Sequence, residues 1–209
     1  YITDVACYWI KECDIDGWRL DVGDEISHFF WKNFRKAVKA VKKDMLIIGE
    51  IWHYAGDFLE GDEWDTVMNY PFYLNLIDLL ADEKITVSQF VQNLGYLKGR
   101  LHKNCYPLMW NLIDSHDTAR FLHLCNDNKK KQHLAAAFQL LLPGMPMIYY
   151  GDEYAMPGAN DPDCRRGMYW DEEYQDKEMY EWYKRLIQVR KSHACIVEGE
   201  LAGSVTEDE

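Results

Sequence analysis

The sequence predicts an α/β chain built on a parallel sheet, of the open or the (β/α) barrel kind. Short apolar or β-branched runs alternate with segments of helical periodicity along most of the chain. The run "MLIIGEI" (45–51) is continuously apolar, as strands covered on both faces are. Helix-end markers separate the runs, among them the basic last turn of 26–43 and the Pro143–Gly144 pair that stops 129–142.

Taken in order, residues 3–13 read as a helix leading into a first strand, "GWRLDV" (17–22). Apolar residues at helical spacing make 26–43 a helix, and 45–51 is the second strand. "TVMNY" (66–70) is a third strand, followed by helices over 73–82 and 86–102. "LMWNLID" (108–114) is a fourth strand, 129–142 a helix, "PMIYY" (146–150) a fifth strand and 176–192 a last helix. From Ala194 the tail is short and polar. A closed barrel of this type needs eight strands and typically about 250 residues; here there are five in 209 residues.

Composition narrows the function classes. A formal charge of −12 argues against nucleic acid as a partner. No run of about 18 apolar residues suggests a membrane span. The six cysteines, Cys7, Cys13, Cys105, Cys125, Cys164 and Cys195, lack zinc-knuckle spacing and read as reduced thiols, with disulfides left open by the even count. The 8 Trp and 14 Tyr fill core, and they also suit the C–H faces of sugar rings. The chain begins at Tyr1 rather than Met, which leaves open a secretion signal ahead of it.

In an α/β barrel, chemistry sits at the C-terminal ends of strands. The first strand ends at Asp21, the second at Glu50, and the fourth leads into Asp114, His116 and Asp117. A lone Asp after a strand is often a turn residue or helix cap. Three carboxylates on three strand ends can instead converge on one mouth. Arg19 and Asp21, two apart on a strand, face the same side, so the guanidinium can hold the carboxylate ionised and oriented. A structural ion pair is the other reading of that couple.

"GWRLDVGDE" (17–25), "GEIWH" (49–53) and "LIDSHDTAR" (112–120) resemble three regions of the α-amylase family, glycoside hydrolase family 13, in order and spacing. "GMPMIYYGDEYAMPGANDPDCRRGMYW" (144–170) resembles the segment around that family's last barrel strand, above all in its neopullulanase, cyclomaltodextrinase and maltogenic amylase group. The resemblance implies a partial (β/α)8 barrel: strands four to eight with their helices over 1–193, then 194–209 leading toward a C-terminal β domain. It implies a retaining hydrolase of α-1,4 glucans, with α-1,6 links left open, such as maltooligosaccharides, cyclodextrins or pullulan. Asp21 would be the nucleophile, Glu50 the general acid/base and Asp117 the third carboxylate, which holds and distorts the sugar. A retaining glycosidase sets its two working carboxyl groups about 5–5.5 Å apart.

The resemblance extends to substrate contacts. Trp52 and His53, which follow Glu50, suit by their place a stacking surface and a hydrogen-bond donor beside the leaving group, against bland readings as a core plug and a loop residue. His116 matches a histidine that binds sugar hydroxyls, and Arg120 orients its loop. Asp161 and Arg165 match a pair that clamps a distal glucose, against a surface ion pair. Glu25 matches an acidic position of the subgroup, which usually has Ala-Asn where this chain has Gly23-Asp24; that departure touches the acceptor side.

No cofactor or metal is expected from these residues; the family's calcium site, where present, lies in regions preceding this stretch. The family's first region and first three strands have no counterpart here. The two open strand edges then predict self-association, and the isolated chain is expected to be weak or inactive. The acidic charge and the subgroup favour a cytoplasmic location, or secretion if a leader was removed. The competing functions are a transglycosylase of the same family, a non-catalytic carbohydrate-binding fragment, and an unrelated barrel hydrolase that uses the same acids by convergence.

Overall fold

A computed structural model describes residues 1–102, 104–199 and 201. The elements are α1 (Ile2–Cys13), β1 (Gly17–Leu20), α2 (His28–Val41), β2 (Leu46–Gly49), β3 (Thr66–Val67), α3 (Tyr70–Leu76), α4 (Val87–Arg100), β4 (Trp110–Asn111), α5 (Phe121–Leu124), α6 (Lys129–Leu141), β5 (Met145–Pro146), α7 (Lys177–Ser192) and α8 (Ala194–Glu198). Local chemistry explains the helix starts. Ser27, Asn69 and Asp176 accept from the backbone N–H of Phe30, Phe72 and Met179, and Thr86 with Gln89 forms a capping box on α4. Pro71 occupies the first turn of α3, where a missing N–H costs nothing.

All strand pairs are parallel. Gly17 to Leu20 pair with Leu46 to Gly49, Ile48 and Gly49 pair with Thr66 and Val67, and Trp110 and Asn111 pair with Met145 and Pro146. A bridge between Met68 and Trp110 joins the two sheets. The order is therefore β1-β2-β3-β4-β5, sequential and parallel. Among the described residues no further strand pairs with the outer edge of β1 or of β5.

The predicted strands exist but are shorter. Val22 turns into the left-handed region at φ 44°, which ends β1 at Leu20 rather than 22. Asn69, read as strand, is the cap of α3, so the helix starts at Tyr70 and continues as a π-turn over Ile77–Ala81. The fourth strand keeps only Trp110–Asn111 of 108–114, and the fifth only Met145–Pro146 instead of 146–150. The tail predicted from 194 opens with the short helix α8; 200 and 202–209 lie outside the described residues.

The outer core packs helices on the sheet. Phe34 and Val38 of α2 and Ile10 of α1 bury against Ile47 and Trp64. A second cluster joins α3, α4 and α6 through Phe72, Phe90, Phe121 and Ala135, and a third joins α6 to α7 through Leu140, Tyr183 and Leu186. At the N-terminal ends of the strands a cavity of about 310 Å³ is lined by Leu46, Thr66, Leu108, Trp110, Met145 and Met147. All six cysteines are free thiols. Among the described residues no helix is long and apolar enough to cross a membrane.

Candidate active site

The C-terminal ends of β1 and β2 are set by one tryptophan. A Cβ on Gly49 would fall 2.2 Å from Trp64 Cε3, and one on Gly23 would fall 2.6 Å from Trp64 Cζ2. Trp64 is itself wedged by stacking on Phe58, with ring centroids 4.1 Å apart, and by an edge contact with Trp31. The Trp31 indole N–H donates to the Gly23 carbonyl at 2.7 Å. Glycine at 49 therefore leaves room for a ring of the protein itself beneath the strand ends.

Above this floor the carboxylates gather around Arg19. Arg19 Nη1 donates to Asp21 Oδ1, Nη2 lies 2.7 Å from Glu50 Oε1, and Nη2 lies 3.9 Å from Asp117 Oδ2. Glu50, with a side chain 5% exposed, also accepts from the Val22 backbone N–H at 3.0 Å. Asp21 is 73% exposed. The Arg19 hydrogen bond, helped by its charge, holds the Asp21 carboxyl below the usual carboxylate range, against an opposing desolvation effect. One cation thus spans an open carboxylate and an enclosed one.

Asp117 is gripped from the other side. Arg165 Nη2 lies 3.1 Å from its Oδ1, and His116 Nε2 lies 3.1 Å from its Oδ2. Arg165 Nε also donates to the His116 carbonyl at 2.9 Å and pairs with Asp161 Oδ1 at 2.8 Å. Asp161 and Arg165 thus form a surface ion pair, the bland reading of that couple, and the arginine also reaches Asp117. Trp52 stacks on Tyr70 with centroids 4.2 Å apart and planes 13° apart, yet stays 43% exposed, so one face is open. Burial pushes the Tyr70 phenol up to about 12, and its hydroxyl shares a hydrogen bond with Ser115 Oγ at 3.1 Å. Ser115 Oγ in turn accepts from the Asp117 N–H at 3.2 Å.

Asp21, Asp24, Glu25, Glu50, Trp52, His53 and Asp117 line a cleft of about 410 Å³. Of the sequence-predicted site residues, Asp21, Glu25, Glu50, Trp52, His53 and Asp117 meet there; Arg19, His116 and Arg165 reach it through the carboxylates, and Asp161 stands behind Arg165. Sequence reasoning missed Trp64, Tyr70 and the pairing of Asp24 with His53, whose Nε2 lies 3.1 Å from Asp24 Oδ2. The Gly23-Asp24 departure was the only hint of that last contact. Trp64 and Tyr70 act across the fold from positions with no local pattern. Among the described residues no group of three or more His, Cys, Asp or Glu side chains is arranged to hold a metal ion.

A parallel (β/α) wall with carboxylates and their cations at the C-terminal strand ends is the arrangement of a barrel-type active site. Residues 1–175 match the family model described as alpha amylase, catalytic domain, and the chain belongs to that family. It is 47% identical over 209 residues to a cyclomaltodextrinase of Geobacillus thermopakistaniensis, covering 100% of this chain and 36% of the relative. It is 46% identical over 199 residues to neopullulanase 2 of Thermoactinomyces vulgaris, covering 95% of this chain and 34% of the relative. The chain thus spans about a third of the length of these curated relatives. Among solved structures, the ligand-free cyclic alpha-maltosyl-(1→6)-maltose hydrolase of Arthrobacter globiformis superposes with a TM-score of 0.95 at 35% identity, over 98% of this chain and 46% of that one. A cyclomaltodextrinase superposes at 0.92 with 43% identity, over 95% of this chain and 34% of that one.

Proposed function

We propose that this chain carries the working acids of a retaining glycoside hydrolase that cleaves α-1,4 or α-1,6 glucans such as maltooligosaccharides, cyclodextrins or pullulan. The observation that carries the reading is the single Arg19 guanidinium touching both Asp21 and Glu50 and lying near Asp117. Asp21, open and held ionised, attacks the anomeric carbon. Glu50 donates its proton to the departing oxygen, then takes one from the water that releases the glycosyl-enzyme. Asp117, gripped by Arg165 and His116, holds sugar hydroxyls. The open face of Trp52 stacks on the leaving-group sugar, with His53 beside it. Glu25 and Asp24 border the same side, and Asp161 fixes Arg165. The names of the relatives and the open cleft support an α-glucan substrate.

In this reading 1–193 supply strands four to eight of the catalytic barrel, and 194–209 lead toward a further domain. The unpaired outer edges of β1 and β5, the cavity under the strands and the exposed Met145, Ile148 and Tyr150 support it. The isolated chain then has little activity and self-associates through its open edges. A stable monomer at micromolar concentration by light scattering counts against that association. Robust release of reducing ends by the isolated chain overturns its proposed weakness.

The functional test uses the polypeptide extended to the length of its relatives. Product anomers followed by NMR from maltotriose should keep the α configuration. Inverted product refutes the retaining mechanism, glucosyl transfer in place of hydrolysis favours the transglycosylase, and binding without turnover favours the non-catalytic reading.

A further inference from the structure

Behind the cleft lies a second cluster of charges that the proposed chemistry does not use. Asp114, Arg120 and Asp152 are each 1% exposed. Arg120 Nη1 lies 3.2 Å from Asp152 Oδ1 and also donates to the Tyr150 carbonyl at 2.5 Å, while Nε donates to the Cys164 carbonyl at 3.1 Å. Its guanidinium stacks 4.0 Å from the centre of the Tyr149 ring, and its backbone N–H donates to the Gly158 carbonyl at 2.9 Å. Asp114 Oδ2 accepts from the Phe121 N–H at 2.8 Å, and the Asp152 carbonyl accepts from Gln132 Nε2 at 3.1 Å.

The remaining oxygens, Asp114 Oδ1 and Asp152 Oδ2, receive no donor among the described residues. The two acids bracket the Arg120–Phe121 step, Asp152 through the Arg120 guanidinium and Asp114 through the Phe121 N–H, and each acts on the ionisation of the other. Two ionised carboxylates and one guanidinium leave a net negative charge in a dry site, with one oxygen on each acid that receives no donor. One proton between the acids removes both faults and completes an O–H···O bond. The other ionisable groups that face them are Tyr73 of α3 and Tyr183 of α7, and the Glu153 carboxylate acts on Tyr183 in turn. Burial pushes both phenols up and keeps them neutral, so none of the three supplies a cation.

This cluster stands between the two loops that meet at Asp117. Arg120 follows Asp117 on one loop and ties down Tyr150, Gly158 and Cys164 of the other. Cys164 Sγ donates to the His116 carbonyl at 3.2 Å, and the next residue, Arg165, reaches Asp117. We propose that Asp114 and Asp152 share one proton and, with Arg120, act as positioning residues that hold Asp117 and Arg165 in register. The positioning half rests on the reading of Asp117 as a substrate-holding carboxylate. Burial is the first cause that raises both acids above their ordinary values. An acid raised in the fold stabilises the fold below its ordinary pKa, and that contribution is lost as pH climbs through the raised value.

The test begins with infrared spectra of the chain at neutral pH. A protonated-carboxyl C=O band is expected, and Asp114→Asn and Asp152→Asn should each remove it. Absence of that band in the wild type overturns the shared proton. Asp152→Asn keeps a neutral donor and should melt near wild type at pH 7 with a flatter pH dependence, whereas Asp114→Asn/Asp152→Asn strands the Arg120 charge and should melt lower. Equal melting of the single and double variants overturns the neutral trio.

In the polypeptide extended to the length of its relatives, Asp152→Ala should raise KM for maltotriose by up to about 10²-fold, and Asp152→Asn should restore it. An unchanged KM in Asp152→Ala overturns the positioning role, and if that variant fails to fold, a raised KM in Asp152→Asn does so instead. A wild type without turnover sinks the hydrolase reading and the positioning half with it, while the infrared and melting results decide the shared proton separately.

Discussion

Two arginine-centred clusters stand beyond the C-terminal ends of the strands, one after β1 and β2 and the other after β4 and β5, and they treat their carboxylates in opposite ways. Around Arg19, Asp21 is 73% exposed, and the guanidinium draws its carboxyl down into the ionised form. Around Arg120, Asp114 and Asp152 have lost water altogether, and desolvation outweighs the same kind of cation, so their carboxyls are pushed up. The parts are alike; the access of water decides the sign. The lesson is that an Arg–Asp contact does not by itself identify a reactive acid. The open cluster suits chemistry, and the closed one suits holding a shape.

The sharpest way to separate the clusters is to remove their acids. In the extended polypeptide, Asp21→Asn and Glu50→Gln should each cut turnover on maltotriose by a factor on the order of 10⁴ or more and leave ligand binding within a few-fold. Steady-state kinetics paired with calorimetry reads both. Full activity in either variant would erase the distinction drawn here.

A second test removes the arginines. Arg120→Met leaves buried acids without their cation and should cost about 3–5 kcal/mol in urea unfolding of the chain. Arg19→Met should cost only about 1 kcal/mol, because Asp21 is solvated and Glu50 keeps its bond to the Val22 N–H. Similar losses for the two would contradict the contrast. Between them in size falls Gly49→Ala, which drives a methyl into the Trp64 ring and should cost about 1–3 kcal/mol.

The pH profile sharpens the comparison further. Arg19 lowers the Asp21 carboxyl, so Arg19→Met should move the acidic limb of kcat/KM toward higher pH. A limb that stays in place assigns that titration to another group. The smallest effect is expected from Trp52→Ala, which removes an open stacking face and should raise KM by about tenfold or less, worth about 1 kcal/mol. Competition by maltose against a fluorescent glucan measures it.

Much of the site was legible in the sequence because its residues fall beside strand ends in short local patterns. Arg19-x-Asp21, Gly49-Glu50 and His116-Asp117 each carry their chemistry within a few positions, and the parallel order of the strands follows from alternating periods. Strand ends were less legible. Leu20 and Val67 are where β1 and β3 stop because of a left-handed residue and a helix cap, which are backbone events that β-branched composition does not display. The closed cluster was invisible for another reason. Asp114 and Asp152 are 38 positions apart, and only the folded wall brings them together and dries them. Arg165 reaching Asp117, rather than only its neighbour Asp161, needed the same long-range information.

Trp64 packs against both Gly49, at the end of β2, and Gly23, in the turn that follows β1, so one ring braces the backbone next to Glu50 and next to Asp21. The spacing between those acids is therefore not adjustable one strand at a time. An engineer who wishes to widen or narrow it has a single shim to change, and every alteration of Trp64 moves both carboxylates at once.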